Sequence, residues 1–456
     1  MTGRAATLQQ DTRLVFTDQA LFLGQRATGQ EAVAQIVWVY EHPVNFDEVR
    51  RFHRDLGYGL LGRRIERSPL PFGRHRWVSS EGPAADIDLA ERARPRAELS
   101  DWADERAQLA VDPEWGPGWH LGALPMTDGS TAVSLVASHC LTDGVGLLLT
   151  VVDSAKGNTR HLGYPAPKSR TRLRAMASDA RHTIQGAPEV ARALAAGARL
   201  AFRRRRDVFR SGAARHSAVA GAGGGDNVVV PAISIYVDLD DWDARAKVLG
   251  GTSFSLVAGF AAKLAEHMGR RRAGDGAVTL NIPISDRTAD DLRANAVSLA
   301  NVGVDPTQVT TDLSAARGAI RTALKAMREV PDEALALLPL IPFIPKRVVR
   351  RGSDVVFGFA ADLPVSCSNL GDLDPAVARL DGSEAEYIML RGVDRHVTRQ
   401  FLEQRPGLLT LVAARIGGKI SVAVIAHQPG AENSKPRLRE LAGRTLAEFE
   451  LTGVVE

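Results

Sequence analysis

Residues 131–146 read "TAVSLVASHCLTDGVG", and the parsing of this run decides the fold. A period of two governs its first ten residues. Val133, Leu135, Ala137 and His139 fall on one side, and Ser134, Val136, Ser138 and Cys140 on the other. The pattern predicts a largely buried strand ending near the histidine, a tight loop "CLTD", and a helix starting at Gly144 or Val145 with Asp143 as its N-cap. Side chains at such strand ends project into clefts, where binding and chemistry concentrate. Taken singly, His139 reads as a satisfied core histidine, Asp143 as a cap and Gly144 as a small residue in the first helical turn. Taken together they form a chemical set. An imidazole takes up a proton near neutral pH, an aspartate four residues on holds the loop by pairing with an arginine elsewhere, and a glycine leaves room for a reactant.

Working outward, "WHLGALPM" (119–126) is a strand joined to the first by a turn at Asp128-Gly129, a hairpin signal. Upstream, "AQIVWVY" (34–40) is a strand, and Asn45 caps a helix whose apolar face carries Phe46, Val49 and Phe52. "AELSDWADERAQLAV" (97–111) is a helix capped by Ser100 or Asp101. After the helix at 143–155 the texture turns to Arg, Ala and Gly, with a helix around 186–205 and the flexible run "AVAGAGGGDN". Strand and helix patterns then resume. "NVVVPAISIYVDL", "AVTLNIPIS", "NAVSLANVGV" and "LPVSCSNLGDL" read as strands, and helices cover 253–270, capped by Thr252 or Ser253, and 312–330. A hairpin turning at Gly417-Gly418 and a helix over 434–451 end the chain. Alternating strands and helices with hairpins in both halves predict an α/β fold of the α+β kind, mixed sheets with helices packed on them. The expected organisation is an N-terminal lobe at 1–185 carrying the histidine segment, a crossover linker at 186–228 and a C-terminal lobe at 229–456.

Composition narrows the function. At 456 residues the chain exceeds one ordinary core. The 57 basic against 53 acidic residues leave a net charge of +4, an excess suited to an anionic cofactor or lipid headgroup and too small to argue for nucleic acid. Only Cys140 and Cys367 are present, which excludes a disulfide framework or a cysteine zinc cluster and fits a reducing cytoplasm. The N-terminus lacks a signal-peptide core, and no window reaches about 18 uninterrupted apolar residues. There is no HExxH, Walker or G-x-G-x-x-G pattern, so metal hydrolysis, nucleotide hydrolysis and Rossmann redox chemistry are not expected. Cys140 is a rival nucleophile by sequence, but alternation points it away from His139. "ALALLPLIPFIPKRVVRR" (334–351) reads either as a hydrophobic lip whose Lys346, Arg347, Arg350 and Arg351 meet phosphates at a membrane surface, or as a buried helix end with an exposed flank. "RRRRDVFR" (203–210) reads as a solvated charge run or as a contact for anionic groups.

The His-x-x-x-Asp-Gly pattern resembles the active-site motif of the condensation-domain and chloramphenicol-acetyltransferase-like superfamily. "RRIERSPLPFGRHRWV" (63–78), "DPEWGPGWHLGALPMTDG" (112–129), "VTLNIPISDRTADDLRANAVSLANVGVD" (278–305) and "PVSCSNLGDLD" (364–374) are similar, in order, to blocks of the bacterial wax ester synthase/diacylglycerol acyltransferases. Two departures stand out. The motif usually carries two adjacent histidines, where this chain has Ser138 and then His139, and the turn "SNLG" lacks the usual proline ending. The resemblance implies two acetyltransferase-like lobes in a V-shaped pseudo-dimer, with a tunnel between them and the motif at its middle. An acyl thioester would enter from one side and an acceptor from the other.

It further implies O-acyl transfer, with His139 as general base, Asp143 as a structural residue and Gly144 beside the reacting centre. Ser138, Arg287, Asn295, Ser368 and Asn369 would line the substrate path. Arg287, Arg63 and Arg64 are candidates to pair with Asp143. Backbone amides near Gly144 or the Asn369 side chain are candidates to hold the oxyanion. No metal or bound cofactor is implied; acyl-CoA or an acyl-carrier thioester is the co-substrate and a small alcohol the acceptor. The localisation implied is cytoplasmic, with peripheral contact at the inner face of the membrane. Two other readings stay open. One is a free-standing condensation enzyme drawing on an acyl carrier protein to form an ester or amide. The other, kept open by Ser138, is a catalytically silent member of the fold that binds acyl chains or proteins.

Overall fold

The structure, a computed structural model, describes residues 11–211, 227–288, 290–329, 335–344, 364–404 and 407–456. The first half runs α1 (Phe16–Thr28), β1 (Glu31–Tyr40), α2 (Phe46–Leu56), β2 (Arg63–Glu66), β3 (Arg76–Ser79), β4 (Asp88–Leu89), α3 (Leu99–Gln108), β5 (Trp119–Pro125), β6 (Thr131–Ser138) and α4 (Gly144–Ala155). Helices α5 (Arg172–Gln185) and α6 (Ala187–Ser211) lead to the second half. There follow β7 (Ala232–Asp238), α7 (Leu239–Val248), α8 (Ser253–His267), β8 (Val278–Ser285), β9 (Val297–Val304) and α9 (Ser314–Glu329). The chain ends with β10 (Val365–Asp372), β11 (Tyr387–Arg395), α10 (Arg399–Gln404), β12 (Leu408–Ile416), β13 (Lys419–His427), α11 (Lys435–Glu448) and β14 (Val454–Val455).

Two mixed sheets organise these elements, in the order β11-β1-β6-β5-β4 and β14-β7-β13-β12-β10-β8-β9, beside the small β2-β3 ribbon. Strand β1 shows why its sequence is apolar throughout. Ala34, Ile36, Trp38 and Tyr40 pack with α2 and α4, while Val37 and Val39 pack with Leu99 and Trp102 of α3. A strand covered on both faces has no reason to alternate. The second sheet carries its largest core against α7, α8, α9 and α11, centred on Trp242, Leu256, Phe260 and Phe449. No single helix among the described residues is long and apolar enough to cross a membrane.

The β5-β6 hairpin turns at Gly129 and the β12-β13 hairpin at Gly417-Gly418, each glycine with positive φ. Thr252 caps α8 in a reciprocal capping box with Ser255, and Asn45 caps α2 through the Asp47 amide. Two expectations change. Helix α3 starts ahead of Ser100 and Asp101, because the 3-10 turn Arg96–Glu98 feeds straight into it and Glu98 occupies the cap without a side-chain bond. The helix anticipated around 186–205 is the second of a pair broken at Gly186. Helix α1, with no counterpart in the sequence reading, precedes β1.

The halves interlock. Strand β11, late in the chain, pairs along its whole length with β1 of the first sheet, Glu31 opposite Arg395 through Val39 opposite Tyr387. Trp38 Nε1 donates to the Val377 carbonyl and Tyr40 Oη to that of Ala378. Lys346, Arg347, Arg350, Arg351 and the glycine-rich run at 218–226 lie outside the described residues. The described part of the apolar segment, Leu335–Phe343, is a 3-10 helix with Pro339 and Pro342 inside it.

Candidate active site

Strand β6 ends at Ser138, the chain turns through His139–Thr142, and α4 begins at Gly144. Much of the backbone of this turn is tied down. The His139 amide donates to the Ala32 carbonyl at 3.0 Å, the Leu141 amide to that of Ser138 at 2.9 Å, and the Asp143 amide to that of Ala294 at 2.8 Å. The Leu141 carbonyl accepts from Arg63 Nη2 at 2.8 Å and the His139 carbonyl from Asn295 Nδ2 at 3.2 Å. The imidazole is half-buried, and its Nδ1 is enclosed without a hydrogen-bond partner among the described residues.

Asp143 is engaged at both oxygens. Oδ1 accepts the Gly146 amide at 2.7 Å, closing the N-cap. Oδ2 accepts Arg287 Nη2 at 2.8 Å and the Ala296 amide at 2.8 Å. Arg287 is therefore the arginine that meets Asp143, and the pair is sealed, with side chains only 1% and 2% exposed. The guanidinium also donates to the carbonyls of Asp291, Arg293 and Ala294. Such an arginine fixes a loop, and it also stands in the wall of the cavity beside that loop. Of the other two candidates, Arg63 and Arg64, Arg63 instead stacks over Trp77 at 3.8 Å and donates to Tyr164 Oη and the Leu292 carbonyl. Complete burial pushes its guanidinium down from its usual range.

The other anticipated residues divide. Ser138 is buried, its hydroxyl taking the Cys140 amide at 3.4 Å. Cys140 is also buried, and its enclosure drives the thiol far above its usual value, which leaves no thiolate for nucleophilic work. Asn295 uses its side-chain amide as a brace between the His139 carbonyl and Asp18. Ser368 and Asn369 are half-buried on β10, and the Asn369 side-chain oxygen accepts the Gly371 amide at 2.9 Å. A β-carbon placed on Gly144 would lie 3.6 Å from Leu370 Cδ2, so β10 of the second sheet reaches the first turn of α4.

The residue missed from sequence is Asp18. Fully buried on α1, it accepts the amides of Ala294 and Asn295 at 2.8 and 2.9 Å. Loop 291–296 of the second half is thus gripped by Asp18, Arg63 and Asp143 of the first half and by its own Arg287. A cavity lined by Tyr58, Leu60, Gly146, Leu149, Arg160 and Arg287 adjoins this loop; His139 is not among its walls. Among the described residues no cluster of three or more His, Cys, Asp or Glu side chains is disposed to hold a metal ion.

Two mixed sheets, with a histidine just past the end of the central strand β6 of one and a loop from the other half locked behind it, form a fold shared with solved structures of a wax ester synthase/diacylglycerol acyltransferase and a condensation domain. No protein-family model matches the chain and no curated protein does; the likeness appears in solved structures. The chain is similar to the wax ester synthase/diacylglycerol acyltransferase from Marinobacter aquaeolei VT8, at 15% identity and TM-score 0.55 over 96% of this chain and 98% of that one. It is similar to the first condensation domain of the CDA synthetase, at 13% identity and TM-score 0.53 over 98% and 99%. Polyketide synthase associated protein 5 from Mycobacterium tuberculosis gives 14% identity and TM-score 0.52 over 96% of each chain. At these identities the likeness is one of fold.

Proposed function

We propose that the protein is an acyltransferase that moves an acyl group from a thioester to a hydroxyl acceptor, with His139 as general base. The observation that carries this is His139 itself, its imidazole half-buried just past the end of β6, its backbone N–H and carbonyl both braced, and its Nδ1 enclosed without a hydrogen-bond partner among the described residues. In the proposed step Nε2 takes the proton of the acceptor hydroxyl as its oxygen attacks the thioester carbonyl. The tetrahedral oxyanion then collapses, the C–S bond breaks, and the proton passes from the imidazolium to the leaving thiolate, giving ester and free thiol. A positioned base contributes about 10²–10⁴-fold, and alignment of the two reactants contributes more. Asp143 takes no proton in this scheme, because both its oxygens are engaged by donors of the loop it shapes.

The fold supports acyl transfer in general terms, since a protein named for ester synthesis and one named for condensation share it. The donor is acyl-CoA in the leading reading and a carrier-protein thioester in the alternative. Thiol release from a panel of acyl-CoAs, with alcohols and amines as acceptors and products identified by mass spectrometry, tests the activity. Turnover only with acyl-phosphopantetheinyl carrier would favour the condensation reading. No thiol release from either donor, with acyl chains still bound, would leave a silent binder.

Peripheral membrane contact belongs to the same proposal, and α5 supports it. Leu173 and Ile184 are 79% and 74% exposed and share one face with exposed Ala177. Exposed Arg172, Arg174 and Arg181 flank that face, while the one acidic residue of the helix, Asp179, is buried. An outward apolar stripe with arginine flanks suits an anionic bilayer surface. Sedimentation with phosphatidylglycerol vesicles, absent with phosphatidylcholine alone and lost on replacing the three arginines by glutamine, is the expected result; equal recovery with both lipids removes this part of the proposal.

A further inference from the structure

The carboxylate of Asp18 is wholly enclosed and has no role in the chemistry proposed above. A carboxylate withdrawn from water is costly unless its oxygens are hydrogen-bonded. Here Oδ2 takes the Ala294 amide, and Oδ1 takes both the Asn295 amide and Asn295 Nδ2, the last at 3.4 Å. No cation among the described residues pairs with it; Arg63 acts on it through space. An apolar side chain would avoid that cost but leave the Ala294 and Asn295 amides without acceptors, and a side-chain amide could serve only one of them with its oxygen, so packing alone does not explain a carboxylate at this position.

Its acceptor-only character does. An Asn side chain carries a donor end and an acceptor end, and its surroundings decide which end faces where. Asn295 sits between two acceptors, the Asp18 carboxylate and the His139 carbonyl at 3.2 Å. With a carboxylate on one side, the only satisfied orientation presents Nδ2 to both. The backbone of Asn295 is fixed by the same carboxylate, so a rigid chain of bonds runs from α1 through Asn295 to the residue bearing the imidazole.

We propose that Asp18 is a positioning residue, which orients His139 by setting both the backbone and the side-chain amide of Asn295. The inference rests on the reading of His139 as the general base. Asp18→Asn keeps shape and volume but sets a donor against one of the two amides and lets Asn295 turn over. Small displacements of a reacting group cost of order 10²-fold, so kcat should fall by about that factor in Asp18→Asn while KM stays within about twofold. Asn295→Ala, which cuts the last link, should show the same split. Because the two act through one path, the double variant should lie within about threefold of Asn295→Ala alone.

A purely adhesive Asp18 gives another outcome: lower melting temperature, kcat per folded molecule unchanged, and effects of the two substitutions that multiply. Wild-type kcat in Asn295→Ala overturns the proposal even if Asp18→Asn does not fold. His139→Ala, assayed alongside, separates the two levels. If it retains turnover, the general-base reading fails; if it is inactive while Asn295→Ala and Asp18→Asn turn over normally, only the role of Asp18 fails.

Discussion

His139 and Asp143 are four residues apart, and the proposed reaction gives them opposite kinds of work, a difference that goes with their hydrogen bonds. The imidazole keeps an unpartnered nitrogen, while the carboxylate has none of its oxygens unengaged. His139→Ala should therefore abolish thiol release, by about 10²–10⁴-fold, with an unchanged circular dichroism spectrum and melting curve. Asp143→Ala should act on stability first. It removes a cap and leaves Arg287 charged, 1% exposed and without its counter-ion, a change that costs about 3–5 kcal/mol. Its melting temperature and its activity should fall together; a variant that folds as well as wild type but is inactive would move Asp143 into the chemistry. The contrast also explains what the sequence made legible. A strand period of two and a cap four residues on are local signals, and Arg287 lay in a block of recognisable order. Asp18 had no such signal: it bonds residues 276 and 277 positions away, and nothing in "VFTDQALF" distinguishes it from a first-turn acid of an exposed helix.

The first turn of α4 holds two glycines with different constraints. A β-carbon on Gly144 would make one ordinary contact, with Leu370. On Gly146 it would crowd Thr142 Oγ1, approach Leu60 Cδ1 to 2.9 Å and Arg287 Cζ to 3.1 Å. The close approach that the motif glycine suggests is thus required two residues later, where the helix passes the buried arginine. Gly146→Ala should lose about 1–3 kcal/mol in urea unfolding, and Gly144→Ala less than about 0.5 kcal/mol. The reverse order would mean that the Asp143–Arg287 pair does not set the path of the helix. Elements escaped the sequence reading for a related reason. Strand β11 carries Arg391 and Arg395, both buried: Arg391 is answered by Asp104 at 2.7 Å and Gln35 at 2.7 Å, and Arg395 by Glu31 at 3.2 Å. Charges that find partners only after the two halves meet erase the apolar alternation by which a strand is recognised. The β5-β6 and β12-β13 hairpins, whose turns are encoded locally by glycine, left no such ambiguity.

Across the whole molecule, histidines withdrawn from water set the response to acid. Burial pushes His75 and His120 down to about 4, from an ordinary value near 6.5. His120 lies 8% exposed on β5 with Arg106, Asp88 and Arg395 around it, and neither ring nitrogen has a partner among the described residues. His75 is 6% exposed, near Arg67 and Asp179, and its Nδ1 takes the Ser68 amide at 3.3 Å. A group whose folded value is depressed in this way is neutral in both states above pH 6.5 and adds nothing to the pH dependence there. Between 6.5 and 4 the unfolded chain binds a proton that the folded protein refuses, so stability falls as the pH falls, by about 2 kcal/mol per histidine between pH 7 and pH 5. Carboxylates held down by arginines, Asp112 beside Arg26 among them, lose their contribution only below that window. Asp18 shifts the opposite way, because burial raises it, and its protonation relieves rather than adds to acid loss. His120→Leu fills the same enclosed site without a titrating ring. Its unfolding free energy should drop by about 2 kcal/mol less than that of wild type from pH 7 to pH 5. Equal losses in both proteins would show that the ring is protonated, or reaches water, in the folded state.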